Sequence, residues 1–191
     1  MSTVLENIAT IADYESLPDD GIERWLVRGQ LRERPENGMT KRNRWHSQIL
    51  ITIGTYLKLW RDRQPEPRGV VLGGEAGCIL QRNPDTVVGI DIAYFGPDIA
   101  AMETEGTTLM DGPPVLAVEI LSPSDRQQDI DEKTDLYQAA GVPLVWLVDP
   151  HLRTVTVLRL DQPPRLFNET DTFDAEPHLP GFKVSVAGLF D

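Results

Sequence analysis

Cysteine is nearly absent from this chain: Cys78 is the only one in 191 residues. A lone thiol excludes an intrachain disulfide and a cysteine-rich zinc centre alike. No apolar run approaches the roughly 20 residues that cross a bilayer as a helix, so no membrane association is expected. The first 20 residues are acidic and lack the basic start and apolar stretch of a signal peptide. The cytoplasm is the expected compartment. Basic charge is also scarce, 18 Lys and Arg against 30 Asp and Glu, for a formal net charge of −12. That balance argues against a protein built to coat nucleic acid, because phosphate neutralisation supplies most non-specific affinity.

What remains is the composition of a globular protein, 40% hydrophobic and 25% charged. With no repeat and no low-complexity linker, residues 1–191 read as one domain. The few cations are clustered. Between positions 24 and 44, seven basic residues (Arg24, Arg28, Arg32, Arg34, Lys41, Arg42, Arg44) face two acids, Glu33 and Glu36. Such a strip is either a solvated face or a surface that meets phosphates.

Residues 22–34 read as two short strands turning at Gly29. A helix from about Lys41 to Trp60 is marked by Trp45, Ile49, Ile53, Tyr56, Leu57 and Trp60 at three- and four-residue intervals. Strands follow at 70–72 and 75–80, separated by Gly73-Gly74, and at 87–95; residues 97–114 carry no assigned element. A near-continuous apolar strand at 115–121 suggests burial on both faces. The next helix runs from about Ser124 to Ala140, with Ser124 and Gln127 at capping-box spacing and Gly141 as its left-handed cap. Residues 144–148 form another buried strand, stopped by Asp149-Pro150. Residues 153–160 alternate like an edge or half-exposed strand, and the tail to Leu189 reads as loop with a short strand or helix. The order β–α–β–β–β–α–β–β specifies a mixed sheet, with the strands at Val115 and Leu144 parallel neighbours.

Two charges stand where charge is costly. Asp91 interrupts Val-Val-Gly-Ile-Asp-Ile-Ala-Tyr-Phe, and Glu119 interrupts Val-Leu-Ala-Val-Glu-Ile-Leu. A buried ionised carboxylate must be paired, protonated or bound to a cation. Each acid alone could simply pair with a buried Arg or Lys. Both together, on consecutive strands, present the oxygen ligands that Mg²⁺ or Mn²⁺ takes. Lys133 lies on the helical face of Ile130, Leu136, Tyr137 and Ala140, from where it can reach over the sheet end; otherwise it snorkels along the helix edge. Glu75, after the Gly73-Gly74 pair, is a further candidate ligand, or merely the acid of a bend. His46 is a weaker candidate, since a lone helical histidine is more often surface or core. Asp149 before Pro150 reads as a turn residue.

The string from Val118 to Pro150, Val-Glu-Ile-Leu-Ser-Pro-Ser-Asp-Arg-Gln-Gln-Asp-Ile-Asp-Glu-Lys-Thr-Asp-Leu-Tyr-Gln-Ala-Ala-Gly-Val-Pro-Leu-Val-Trp-Leu-Val-Asp-Pro, resembles the signature of the bacterial Uma-type restriction endonucleases. That family was long catalogued as a domain of unknown function and belongs to the PD-(D/E)XK nuclease superfamily. The resemblance covers most of the chain and is most specific from Asp91 to Pro150. It implies a restriction-endonuclease-like mixed sheet flanked by helices, with an N-terminal hairpin and a Mg²⁺- or Mn²⁺-dependent phosphodiesterase site. Asp91 matches the first motif acid and Glu119 the second. Three positions depart from the pattern. Ile90 stands where the superfamily name has proline, and Leu121 stands two residues after the second acid, where it has lysine, leaving Lys133 as the substitute. Trp25, Arg28 and Gln30 occupy the hairpin, where the family commonly has acids.

The resulting expectation is a metal-dependent endonuclease in which Asp91 and Glu119 hold the metal, Glu75 completes the shell, and Lys133 stabilises transition-state charge. Arg28, Arg32, Lys41, Arg42 and Arg44 would contact the nucleic-acid backbone, with DNA the expected partner and the choice between DNA and RNA not set by the sequence. The alternatives are a catalytically inactive nucleic-acid-binding or dimeric interaction module of the same fold, and a metal-dependent hydrolase of another anionic substrate. A homodimer is expected, joined through the 153–160 strand or the Trp-rich first helix.

Overall fold

A computed structural model of the chain describes residues 9–18, 20, 22, 24–33, 43–102, 108–123 and 125–191. The N-terminal part holds α1 (Ile11–Glu15), the hairpin β1 (Arg24–Val27) and β2 (Gln30–Glu33), and α2 (Arg44–Arg61). The long pair β3 (Val70–Gln81) and β4 (Thr86–Phe95) follows, then a short α3 (Pro97–Ala100), β5 (Met110–Asp111), β6 (Leu116–Ile120) and α4 (Gln127–Ala139). The rest comprises β7 (Leu144–Asp149), β8 (Thr154–Arg159), β9 (Arg165–Phe167), β10 (Thr172–Asp174), β11 (Lys183–Ser185) and a 3-10 turn at Ala187–Leu189. Among the described residues no helix is long and apolar enough to cross a membrane.

Nine strands form one mixed sheet, ordered β2-β1-β4-β6-β7-β8-β9, with β3 on β4 and β5 on β3. The hairpin turns on Arg28 and Gly29, whose φ values of 50° and 76° are both positive. That is the primed geometry that suits strand twist, and Gly29 adopts it without a Cβ penalty. As the sequence implies, β6 and β7 are parallel neighbours, joined by the α4 crossover. The two expected strands 70–72 and 75–80 are one strand, β3, because Gly74 and Glu75 form a bulge rather than a turn.

Strand alternation on β6 divides the core. Leu116, Val118 and Ile120 face α2, while Ala117 lies in the layer of Leu136 and Tyr137 from α4. On the α2 side the tail adds Phe173, Phe182, Val184 and Leu189, and Trp146 meets Phe173 edge-on with centroids 5.1 Å apart. The tail is therefore a second, two-stranded sheet, β10-β11, that closes this layer.

Several boundaries differ from the sequence expectation. α2 starts at Arg44, capped by Asn43, and its buried stripe is His46, Ile49, Ile53, Leu57 and Trp60. Trp45 (45% exposed) and Tyr56 (39%) lie one residue, about 100° of helix, off that stripe. α4 starts at Gln127 after Arg126, with no side-chain cap, and the expected cap Ser124 lies outside the described residues. Its C-terminus is as expected: Gly141 has φ 78°, and Val142 N–H reaches Tyr137 O at 2.9 Å, a Schellman closure. Of the two readings of the 153–160 strand, the half-exposed one holds: β8 alternates buried and partly exposed residues, and it is no edge, since β7 and β9 flank it. Its backbone donors are spent inside the sheet, so it cannot serve as the dimer edge. Residues 97–114, left without structure by the sequence, supply α3 and β5.

Candidate active site

Strand β4 gives one whole edge to β3, but its other edge is shared. There β1 meets it at Val87, and β6 meets it from Ile92 to Tyr94. Asp91 lies at the end of the gap between these two partners, one residue before the β6 ladder begins. Leu121 N–H is taken by Val148 O on β7 at 2.8 Å, so by alternation Ile120 N–H points towards β4. What meets it is a side chain: Asp91 Oδ2 accepts from Ile120 N at 2.8 Å. The other oxygen, Oδ1, is 3.0 Å from His46 Nε2, reaching down from the first turn of α2. Both residues are buried, Asp91 4% exposed and His46 3%. Burial acts to raise the Asp91 pKa, but His46, the Ile120 N–H and the charge of Lys133 together hold it below the ordinary aspartate value.

Glu119 lies one residue before Ile120 and turns towards α4. Lys133 Nζ donates to its Oε2 at 2.8 Å, and Tyr137 Oη donates to its Oε1. The two donors are one helical turn apart on α4, which is why both reach the same carboxylate. Burial raises the Glu119 pKa and the neighbouring Asp91 charge adds to it, so Lys133 and Tyr137 offset only part of the shift. Burial and the Glu119 charge push the Tyr137 phenol well above its ordinary value, which keeps it a donor. The two acids therefore feel each other's charge, and Lys133 acts on both.

The Glu75 bulge stands opposite Asp91: β3 pairs Gly73 with Ile92, then Ala76 with Ile90. Gly74 and Glu75 take φ values of 85° and 63° to accommodate the extra residue. The Glu75 side chain runs over Gly89, where an added Cβ would sit 2.7 Å from its Oε2. A Cβ there would require that carboxylate to move aside. Among the described residues, no group of three or more His, Cys, Asp or Glu is placed to hold a metal ion. The pair Asp91 and Glu119 is what the fold assembles.

Among the described residues of the basic strip, Arg24 and Arg32 are held by acids. Arg24 binds Asp20 and Glu33 at 2.7 Å each, and Arg32 pairs with Glu132 on α4, beside Lys133. Arg44 stacks over the Trp45 ring, 4.2 Å from its centroid. Arg28 sits exposed in the hairpin turn. Lys41 and Arg42 lie outside the described residues. Asp149 is the turn residue its sequence suggests, accepting from His151 N at 2.8 Å and Leu152 N at 2.9 Å. Sequence reasoning undervalued His46 and gave Tyr137 no role. The signals were present: His46 continues the spacing of Ile49, Ile53, Leu57 and Trp60, and Tyr137 follows Lys133 by four residues.

A mixed sheet with flanking helices, an acid from each of two adjacent strands and a lysine above them define a restriction-endonuclease-like fold. The chain belongs to the Uma2 family, described as "Putative restriction endonuclease", whose family model matches residues 11–187. A crystal structure from Anabaena variabilis ATCC 29413, described as "a putative nuclease belonging to DUF820", is similar to this chain with a TM-score of 0.77 and 21% identity. The match covers 95% of this chain and 97% of that one, and it shows the shared fold. A comparison with functionally curated proteins finds no match.

Proposed function

We propose that the chain is a divalent-metal-dependent endonuclease that hydrolyses phosphodiester bonds, with DNA as its substrate. The observation that carries this reading is the salt bridge of Lys133 to Glu119, 2.8 Å long, beside Asp91 at the gap between β4 and β6. The donor set fits Mg²⁺ or Mn²⁺. Such ions take oxygen ligands, need only one or two carboxylates, and keep several waters. Each carboxylate oxygen has two lone pairs, so one hydrogen bond per oxygen leaves room for an ion. Asp91 and Glu119 would hold it, with water in the remaining positions; Glu75, expected as a third ligand, is not grouped with them among the described residues. When bound, the ion supplies Lewis acidity and a water of lowered pKa.

The chain's own residues do the rest. Lys133 has three N–H donors and gives one to Glu119, so two remain for the charge developing on a phosphoryl oxygen. Tyr137 keeps the second Glu119 oxygen in place. Arg28 and Arg44, with Lys41 and Arg42 of the same segment, contact the phosphate backbone, and Arg32 joins them by exchanging Glu132 for phosphate. The outer face of α2, with Ile51 68% and Leu59 50% exposed, is the apolar surface on which we place a homodimer. Light scattering that reports a monomer at micromolar concentration removes the dimer.

The test of the main reading is a panel of linear and supercoiled DNA and of RNA, incubated with Mg²⁺ or Mn²⁺. Cleavage by wild type and none by Asp91→Ala supports it. Cleavage that persists in Asp91→Ala, or no cleavage under any ion, overturns it. One observation favours the second reading, a non-catalytic interaction module: Arg24 and Arg32 are already spent on acids in a chain of net charge −12. That module needs no divalent ion, so partner binding unchanged by a chelator distinguishes it.

A further inference from the structure

We infer that His46 is a positioning residue of this site, acting on the bound metal through Asp91. The inference rests on the metal-dependent reading above and adds to it a residue from α2. His46 stands in the first turn of the helix, where Asn43 Oδ1 accepts from its backbone N–H at 2.9 Å. That cap fixes the backbone of the turn and so aims the ring. An ionised carboxylate has no hydrogen to give, so His46 Nε2 is the donor across the 3.0 Å contact to Asp91 Oδ1. With Oδ2 held by Ile120 N–H at 2.8 Å, both oxygens are pinned and the carboxylate plane is fixed in the gap.

Packing gives no reason for an imidazole here. The other buried residues of the α2 stripe, Ile49, Ile53, Leu57 and Trp60, are hydrophobic. The Nδ1 atom of His46 is buried and makes no hydrogen bond among the described residues. A leucine at this position would complete the stripe and leave no orphaned nitrogen, and such an orphan calls for an explanation. The hydrogen bond to Asp91 is that explanation. The two acids are then held alike: Glu119 by Lys133 and Tyr137, Asp91 by His46 and a backbone N–H. Groups that orient metal ligands in this way change metal affinity by roughly 10–100-fold when removed.

The experiment is calorimetric titration of the full chain with Mn²⁺, with a melting curve for each variant to establish that it is folded. His46→Leu fills the core but offers no donor, and its affinity should fall by about 10–100-fold. His46→Gln keeps a side-chain N–H and should recover most of the loss. Wild-type affinity in His46→Leu overturns the inference and leaves the metal site standing. So does a His46→Gln variant that is folded yet binds as weakly as His46→Leu, since the hydrogen bond would then be irrelevant. If wild type itself takes up no Mn²⁺, the metal reading falls and this inference falls with it.

Discussion

The amine of Lys133 meets Oε2 of Glu119 at 2.8 Å, from 14 residues further along the chain. A lysine two residues after the acid would share its strand face, because side chains alternate with a period of two. Leu121 occupies that place here, and α4 brings the cation down from above the sheet. Losing one donor to developing oxyanion charge costs about 10²–10³-fold in rate. Lys133→Met should therefore lose cleavage by that factor, with Mn²⁺ affinity changed much less. Adding Leu121→Lys should restore part of the rate, because the new amine projects from the same face. A Lys133→Met variant cleaving at the wild-type rate would remove the lysine from the mechanism.

Lys133 offsets only one of the two charges of Asp91 and Glu119, so without a divalent ion the acids still repel. An ion bound only by the folded state should raise stability by ~2.7 kcal/mol at a hundredfold excess over its dissociation constant. Glu119→Gln should abolish that gain with Mg²⁺, Mn²⁺ and Ca²⁺ while costing the metal-free protein little. Calcium should stabilise wild type yet support little hydrolysis, because its looser coordination positions water poorly. Melting curves of both proteins with each ion are the measurement. Equal ion-induced shifts would place the ions elsewhere.

The two acids should respond to pH with opposite sign. The Asp91 pKa is held down against burial by His46, Ile120 N–H and Lys133, so its contribution is present above the ordinary aspartate value and is lost as pH falls through the lowered one. The Glu119 pKa is raised by burial, so its contribution is full in acid and is lost as pH rises through the raised value. In metal-free urea melts between roughly pH 3 and 7, Asp91→Asn should fall further below wild type as pH rises. Glu119→Gln should gain on wild type over the same range. Three parallel stability curves would contradict both assignments.

Tyr137→Phe removes only the hydroxyl that donates to Glu119 Oε1. The carboxylate oxygen is left without that donor in a buried place, a loss of about 1–3 kcal/mol. Chemical denaturation at neutral pH without metal reads this directly. A variant as stable as wild type would mean that the phenol contributes packing alone.

The hairpin at Gly29, the two strand acids, the β6–β7 parallel pair and the lysine on α4 were legible because each has a local signature: a turn residue, a charge in an apolar run, a helix between two apolar strands, a helical stripe. His46 ranks only as a weaker candidate in the sequence for a different reason. The helical spacing could place it on the buried stripe, but its partner lies 45 residues away, and only the packing of α2 on the sheet brings the two together. The same limit applies to β8, whose alternation describes its two faces but not its neighbours. The bulge at Gly74 and Glu75 was misread as a break because a glycine pair marks either equally well.

The β4–β6 ladder has three residue pairs where β6–β7 has five. Two slabs of the one continuous sheet meet at this short ladder, and each carries one of the acids: Asp91 with β3 and the hairpin, Glu119 with β7, β8 and β9. A cation held by both acids would fasten the slabs like a rivet through overlapping plates. Its release would then loosen the seam itself, and chelation would be felt as faster amide exchange at Val118 and Ile120, well inside the sheet.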